Sequence, residues 1–307
     1  MSELIDFNEL KAAHALPSPR GVRLNIMRLC QQENVSLQEL ARQIQSDPVL
    51  AGRIIKLANR HNRNNVRPIA SVTTDVLILI GVAAVRQVVL GISLLTSYQS
   101  GACRNFSYAQ FWSQSVAMAC AAQALAGCIR IAPVAEMFTC GLLAGIGRLG
   151  LASARPEAYS GLLTQYADSP PEQMTEAETQ LFGYNHLSLA VAMMNDWNIP
   201  RLFCDAVLFH EAPQASGFAA ESRQQKLVQL LNCAARIADI CMARDDVQVQ
   251  HLYAALCASG PALGIEQEQL ADVIHQASLD WADWGSVLQV KTRALPPLQI
   301  DEGEDKK

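Results

Sequence analysis

Gly145-Ile-Gly147-Arg-Leu-Gly150 matches G-x-G-x-x-G, the spacing at which glycines let a backbone approach a dinucleotide pyrophosphate. That chemistry requires a strand before the first glycine and a helix opening after it. The flanking MFTCGLLA is small and helix-compatible, so the match reads instead as close packing within helices. Nucleophilic catalysis has less support. Cys204 and His210 are six residues apart, which puts them on opposite sides of a helix of about 3.6 residues per turn. There is no G-x-S-x-G elbow, and no G-x-x-x-x-G-K-[ST] loop for a nucleoside triphosphate. The nine cysteines, from Cys30 to Cys257, include no CxxC pair and mostly lie in apolar runs. Reduced, buried thiols of a cytoplasmic protein are expected, with no disulfide framework.

Positive charge is concentrated. Between Pro48 and Ala135 the only acid is Asp75, against Arg53, Lys56, Arg60, Arg63, Arg67, Arg86, Arg104 and Arg130. The densest part, LANRHNRNNVRP, follows a helix C-terminus, where cations meet the negative end of the helix dipole. One reading is a solvated basic loop. The other is a docking patch for an acidic partner or a phosphorylated ligand, with Arg53, Lys56, Arg60, Arg63 and Arg67 as the candidate contacts. The run lacks interleaved aromatics and the formal net charge is −5, so nucleic-acid binding is disfavoured.

The elements that must position these residues are helical. Half of the 307 residues are hydrophobic and 17 % are charged, which excludes a wholly disordered chain. Ser36 with Glu39, and Thr175 with Glu178, read as capping boxes; Asp47-Pro48 reads as an N-cap followed by proline at the first helical position. The first of these helices carries Leu37, Leu40, Ala41 and Ile44, the second runs out at Asn59, and the third ends near Gly183. Asn198-Ile199-Pro200 marks a turn between two apolar helices. Val76 to Leu95 is long and apolar, but Arg86 and Gln87 sit at its middle, and a central Arg costs roughly 2.5–3.5 kcal/mol on insertion. It reads as one buried helix, so no membrane association is expected. Leu227 to Met242 and Ile265 to Leu288 are further helices. In the second, Trp281, Trp284, Leu279 and Leu288 are expected to share a packing face.

With these signals in place, five blocks resemble the HDOD domain, the HD-related output domain of bacterial signalling proteins. They are SLQELARQIQSDPVLAGRIIKLAN, the Val72-to-Leu95 block with LILIGVAAVRQVVLGISLL, FWSQS, CGLLAGIGRLGL, and LFGYNHLSLAVAMMNDWNIPRLFCDAVLFHE. Together they cover about residues 10 to 212. The resemblance implies an all-α domain distantly related to the HD phosphohydrolases, here over residues 6–211. A C-terminal helical extension or small subdomain over 212–290 and a mobile acidic tail over 291–307 would follow. It also implies a cytoplasmic regulatory module whose partners are other signalling proteins, such as two-component or cyclic-dinucleotide pathway components.

The phosphohydrolase relatives centre their metal ligands on an adjacent His-Asp pair. In this chain the corresponding positions are Ala144 and Gly145, and an earlier ligand histidine aligns with Gln114. None of the three carries a good transition-metal donor. His186 in GYNH, His210 in LFHE and Asp239 in ARIADI are the vestigial metal candidates the resemblance leaves. The alternative is that both histidines are helix-packing residues hydrogen-bonded to backbone or to Glu211. The expectation is therefore a non-enzymatic module with no cofactor, acting by protein–protein contact. Two rivals remain: a degenerate pocket holding a nucleotide or other phosphorylated ligand through Arg148, and a residual metal-dependent phosphohydrolase using His186, His210 and Asp239.

Overall fold

A computed structural model of the chain describes residues 7–12, 15–17, 25, 26, 29, 30, 34–61, 68–167, 169–197, 199–258 and 263–298. Among these residues every regular element is a helix and there is no strand, so the fold is all-α. In chain order the helices are α1 (Phe7–Ala12), α2 (Leu37–Gln45), α3 (Pro48–His61), α4 (Thr74–Ile80) and α5 (Val82–Ser97). There follow α6 (Tyr108–Ile129), α7 (Val134–Leu143), α8 (Ile146–Ala154), α9 (Pro156–Gln165) and α10 (Pro171–Phe182). The last are α11 (His186–Asp196), α12 (Arg201–Phe209), a 3-10 turn (Pro213–Ser216), α13 (Arg223–Met242), α14 (Asp246–Ala258) and α15 (Gln267–Leu288).

Two compact units divide the chain. One gathers Pro17–Ser100 with Trp284–Val290; the other gathers Gly101–Asp283 with Met1–Leu16 and Lys291–Lys307. In the first, α2 buries Leu40, Ala41 and Ile44, the stripe its 3.6-residue period dictates. Its N-cap is half a capping box: the Ser36 hydroxyl accepts the Glu39 N–H at 3.3 Å, while the Glu39 carboxylate accepts from Gln43 Nε2 at 2.9 Å. Asp47 caps α3, its carboxylate accepting the N–H groups of Val49 and Leu50 at 3.1 Å each.

The apolar stretch from Val76 to Leu95 is not one helix. It breaks at Gly81, whose φ of 80° lies in the left-handed region that side chains avoid, and α4 and α5 meet there at 91°. Gln87 is buried and Arg86 half-buried on α5. By length and composition Val134–Ala154 also passes as a span, with 78 % of that apolar window buried inside the protein.

In the second unit the 22-residue α6 is the spine, with Ala119, Cys120, Ala121 and Ala122 fully buried. Helix α7 crosses it at Gly141, where an added Cβ would stand 2.6 Å from the Met118 carbonyl oxygen. Helix α8 meets α11 closer still: a Cβ on Gly147 would lie 1.8 Å from the His186 carbonyl oxygen. The G-x-G-x-x-G spacing thus serves helix contact and precedes no phosphate-binding loop.

Helix α10 corrects a start signal. It opens at Pro171, with Pro170 as its N-cap, and Thr175 lies inside it, its hydroxyl donating to the Pro171 carbonyl at 2.9 Å. Proline suits the first helical position, so the earlier start prevails over the Thr-x-x-Glu pattern. Helix α14 has no counterpart among the elements expected from the sequence.

On α15, Trp281 is 1 % exposed and donates its indole N–H to the Ser113 carbonyl at 3.0 Å, and Leu288 is buried. Leu279 is 50 % exposed, because two residues from Trp281 it points to the other side of the helix. Residues 291–298 continue without helix or strand, and there the Ser113 hydroxyl donates to the Lys291 carbonyl at 2.6 Å and Arg293 to the Ala243 carbonyl at 2.7 Å. All nine cysteines are free thiols, six of them buried.

Candidate functional site

The positions that the resemblance matches to a phosphohydrolase metal site come together in the second unit. Gln114 projects from α6, Ala144 and Gly145 form the turn between α7 and α8, and Arg148 follows on α8. His186 opens α11, His210 caps the C-terminus of α12, and Asp239 lies on α13. A cleft of about 330 Å3 is lined by Gln114, Gly145, Arg148, His210, Glu211 and Asp239. Ala144 is buried and offers no donor.

Behind this cleft is a chain of charges. His186 is 1 % exposed, and both ring nitrogens face carboxylates: Nδ1 is 2.6 Å from Glu178 Oε2 and Nε2 is 3.1 Å from Glu211 Oε1. Glu178 Oε2 also accepts the His186 backbone N–H at 2.8 Å. Burial and the nearby Arg148 oppose charge on the ring, but the hydrogen bonds to Glu178 and Glu211 outweigh them and raise its pKa. Both ring nitrogens of His186 are thus committed to carboxylates. Burial also opposes charge on Glu211, yet the His186 bond, the His186 charge and Arg148 hold its carboxyl far below the usual range. Arg148 Nη2 donates to Glu211 Oε1 at 2.8 Å and completes the series Arg148, Glu211, His186, Glu178. Tyr159 stands beside it, its phenol held protonated by burial and by the Glu178 charge.

His210 differs. Its Nδ1–H donates to the Val207 carbonyl at 2.7 Å, and burial lowers its pKa, so the ring is neutral and keeps a lone pair on Nε2. Asp239 Oδ1 accepts from the Gln114 amide at 3.0 Å. Among the described residues no group of three or more His, Cys, Asp or Glu side chains is arranged to hold a metal ion. The donor set does not fit the relatives' metal: two positions have no side-chain donor, one is an amide, and His186 has a carboxylate on each ring nitrogen. Cys204, the nucleophile weighed against His210, is a buried thiol whose pKa burial raises, and it donates to the Ile199 carbonyl.

Glu178 is the member that sequence reasoning missed, having been read as half of a capping box. The available signal was an acid four residues before Phe182 on the buried side of α10.

The basic candidates lie in the other unit. Arg53 donates to the Val287 carbonyl, and Lys56 donates to the carbonyl and hydroxyl of Ser286, each at 2.8 Å. Both cations therefore satisfy orphan carbonyls in the last turn of α15. The Arg60 side chain, Arg63 and Arg67 lie outside the described residues.

The HDOD domain family profile matches residues 16–213. No curated protein matches the chain. Among solved structures, the MmoQ response regulator of Methylococcus capsulatus str. Bath is 33 % identical over 84 % of this chain and 97 % of its own, with a TM-score of 0.46. An HDOD domain protein of unknown function from Geobacter sulfurreducens is 21 % identical over 92 % of this chain and 93 % of its own, with a TM-score of 0.64. A Shewanella amazonensis SB2B protein, whose name places it provisionally among the phosphohydrolases, is 20 % identical over 91 % and 97 %, with a TM-score of 0.71. The all-helical fold is shared with phosphohydrolase-like neighbours, and the chain belongs to the HDOD domain family, a signalling-related family.

Proposed function

We propose that the chain is a non-catalytic regulatory module of bacterial signal transduction, working in the cytoplasm through contact with other signalling proteins. Two-component or cyclic-dinucleotide pathway components are the expected partners. The observation that carries this reading is the commitment of both His186 ring nitrogens to Glu178 and Glu211. A ring with a carboxylate on each nitrogen has no nitrogen left to ligate a metal, and without a metal the site has no means of activating water. Nine free cysteines accord with a reducing compartment.

The test has two arms. Protein incubated with manganese, iron or zinc should show background hydrolysis of phosphomonoesters and phosphodiesters and sub-stoichiometric metal after desalting. Restoring the lost pair with Ala144→His and Gly145→Asp should leave both at background, because His186 stays engaged. Metal-dependent turnover abolished by chelation would overturn the proposal. In the second arm, captured partners are compared between the native chain and the triple variant Arg60→Ala, Arg63→Ala, Arg67→Ala. Loss of a salt-sensitive partner assigns the contact to the basic run; unchanged capture assigns it elsewhere.

A further inference from the structure

The cleft beside the lost His-Asp position has features that a vestige of a metal site does not require. Its volume is about 330 Å3, roughly ten times the volume of one water molecule in the liquid. It is open where the pair would stand: at Gly145 an added Cβ would meet only Phe111, at 3.3 Å from Cε2. Phe111 and Met118 supply apolar wall.

The polar groups along it are partly used, each in a way that fixes what is left. His210 is 5 % exposed and its Nδ1–H is held by Val207, so Nε2 is an acceptor. Gln114 turns its NH2 to Asp239, which orients the amide and leaves Oε1 as a second acceptor. Arg148 uses Nη2 on Glu211 and retains further N–H donors on the same planar group. The lining charges cancel, Arg148 and Arg236 against Glu211 and Asp239. A phosphate would need uncompensated positive charge, and the Arg148 guanidinium is already paired.

We infer that this cleft binds a small, uncharged cyclic amide, a planar ring bearing an N–H donor next to a carbonyl. The ring would lie against Phe111, its N–H meeting His210 Nε2 or Gln114 Oε1 and its carbonyl meeting Arg148. The edge of guanine or of uracil has this pattern; adenine, which has no carbonyl, does not. The site gives a contact module a small-molecule input, and it rests on the reading of the cleft as non-catalytic.

Thermal unfolding of the full chain with millimolar guanosine, uridine or adenosine tests it. Guanosine or uridine should raise Tm by about 2 °C or more, and adenosine by less. Gly145→Leu, which fills the cleft beside Phe111, should abolish the shift. Ala235→Met, on α13 in the same lining, is the second filling variant should the first fail to fold. No shift with any nucleoside overturns the inference, as does a shift that survives filling. Equal shifts with all three overturn the carbonyl requirement. A shift with 5′-monophosphates alone overturns the uncharged class. Release of phosphate from those monophosphates would instead overturn the non-catalytic reading, so the two failures are told apart.

Discussion

The cleft and the charged cluster behind it each lack a metal donor set, for different physical reasons. On the side of α6, α7 and α8 the donors are absent: Gln114 has an amide, and Ala144 and Gly145 have no ligand atom. On the side of α10, α11 and α12 the donors are present, but Glu178, His186 and Glu211 are turned on one another. Deleting donors leaves space, and the cleft lies there. Pairing the remaining ones leaves a buried series of alternating charge that fixes three helices. A histidine and a carboxylate close together are therefore no evidence of a metal site until the ring nitrogens are accounted for.

Several measurements would break or sharpen that contrast. The largest effect is expected at Glu178, which is fully buried and holds His186 by ring and backbone. Glu178→Leu leaves the buried His186 ring with one carboxylate partner and should cost about 3–5 kcal/mol in urea unfolding. A cost below about 1 kcal/mol would show that the network does not hold the helices. Gly147→Ala tests the contact that brings His186 into place. Its Cβ would collide with the His186 carbonyl oxygen, and a loss of about 3 kcal/mol is expected.

Charge on His186 should appear in the pH dependence of stability. Its folded pKa is raised above the unfolded value, so its contribution is complete below about pH 6.5 and is lost as the pH rises through the folded pKa. His210 has the opposite sign: its lowered pKa removes stability as the pH falls below about 6.5. Urea melts across this range should show His186→Gln flattening the alkaline decline and His210→Gln flattening the acid one.

Arg148 and Glu211 form the outermost link, and the Arg148 side chain is 38 % exposed. Solvent screening reduces what the pair contributes, and a double-mutant cycle should return a coupling of about 1 kcal/mol. The smallest effect concerns the first unit. Arg53→Ala and Lys56→Ala remove cations from the last turn of α15 and should cost about 0.3–1 kcal/mol each, less in high salt. A larger, salt-independent loss would mean that they are packing residues first.

Much of this was legible in the residues themselves. The helical periods, the Asp47 cap, the turn before Pro200 and the missing pair at 144 and 145 are local facts, because caps, periodicity and absent side-chain atoms depend only on neighbours in the chain. The start of α10 was misread because Thr175 and Glu178 have the spacing of a capping box, and the proline that opens the helix competes with it. The break at Gly81 was missed because an apolar run looks alike whether it continues or bends.

The sequence by itself determined an all-helical chain, its family, and the absence of metal-donor side chains at Ala144 and Gly145. Only the tertiary structure decided that Glu178 and His186 meet, that Arg148 serves Glu211, and that Arg53 and Lys56 serve the end of α15 across more than 200 residues. The reason is physical. A cap or an amphipathic stripe is satisfied within one or two turns, whereas a buried charge can be satisfied by any partner the fold delivers, and spacing along the chain does not name that partner.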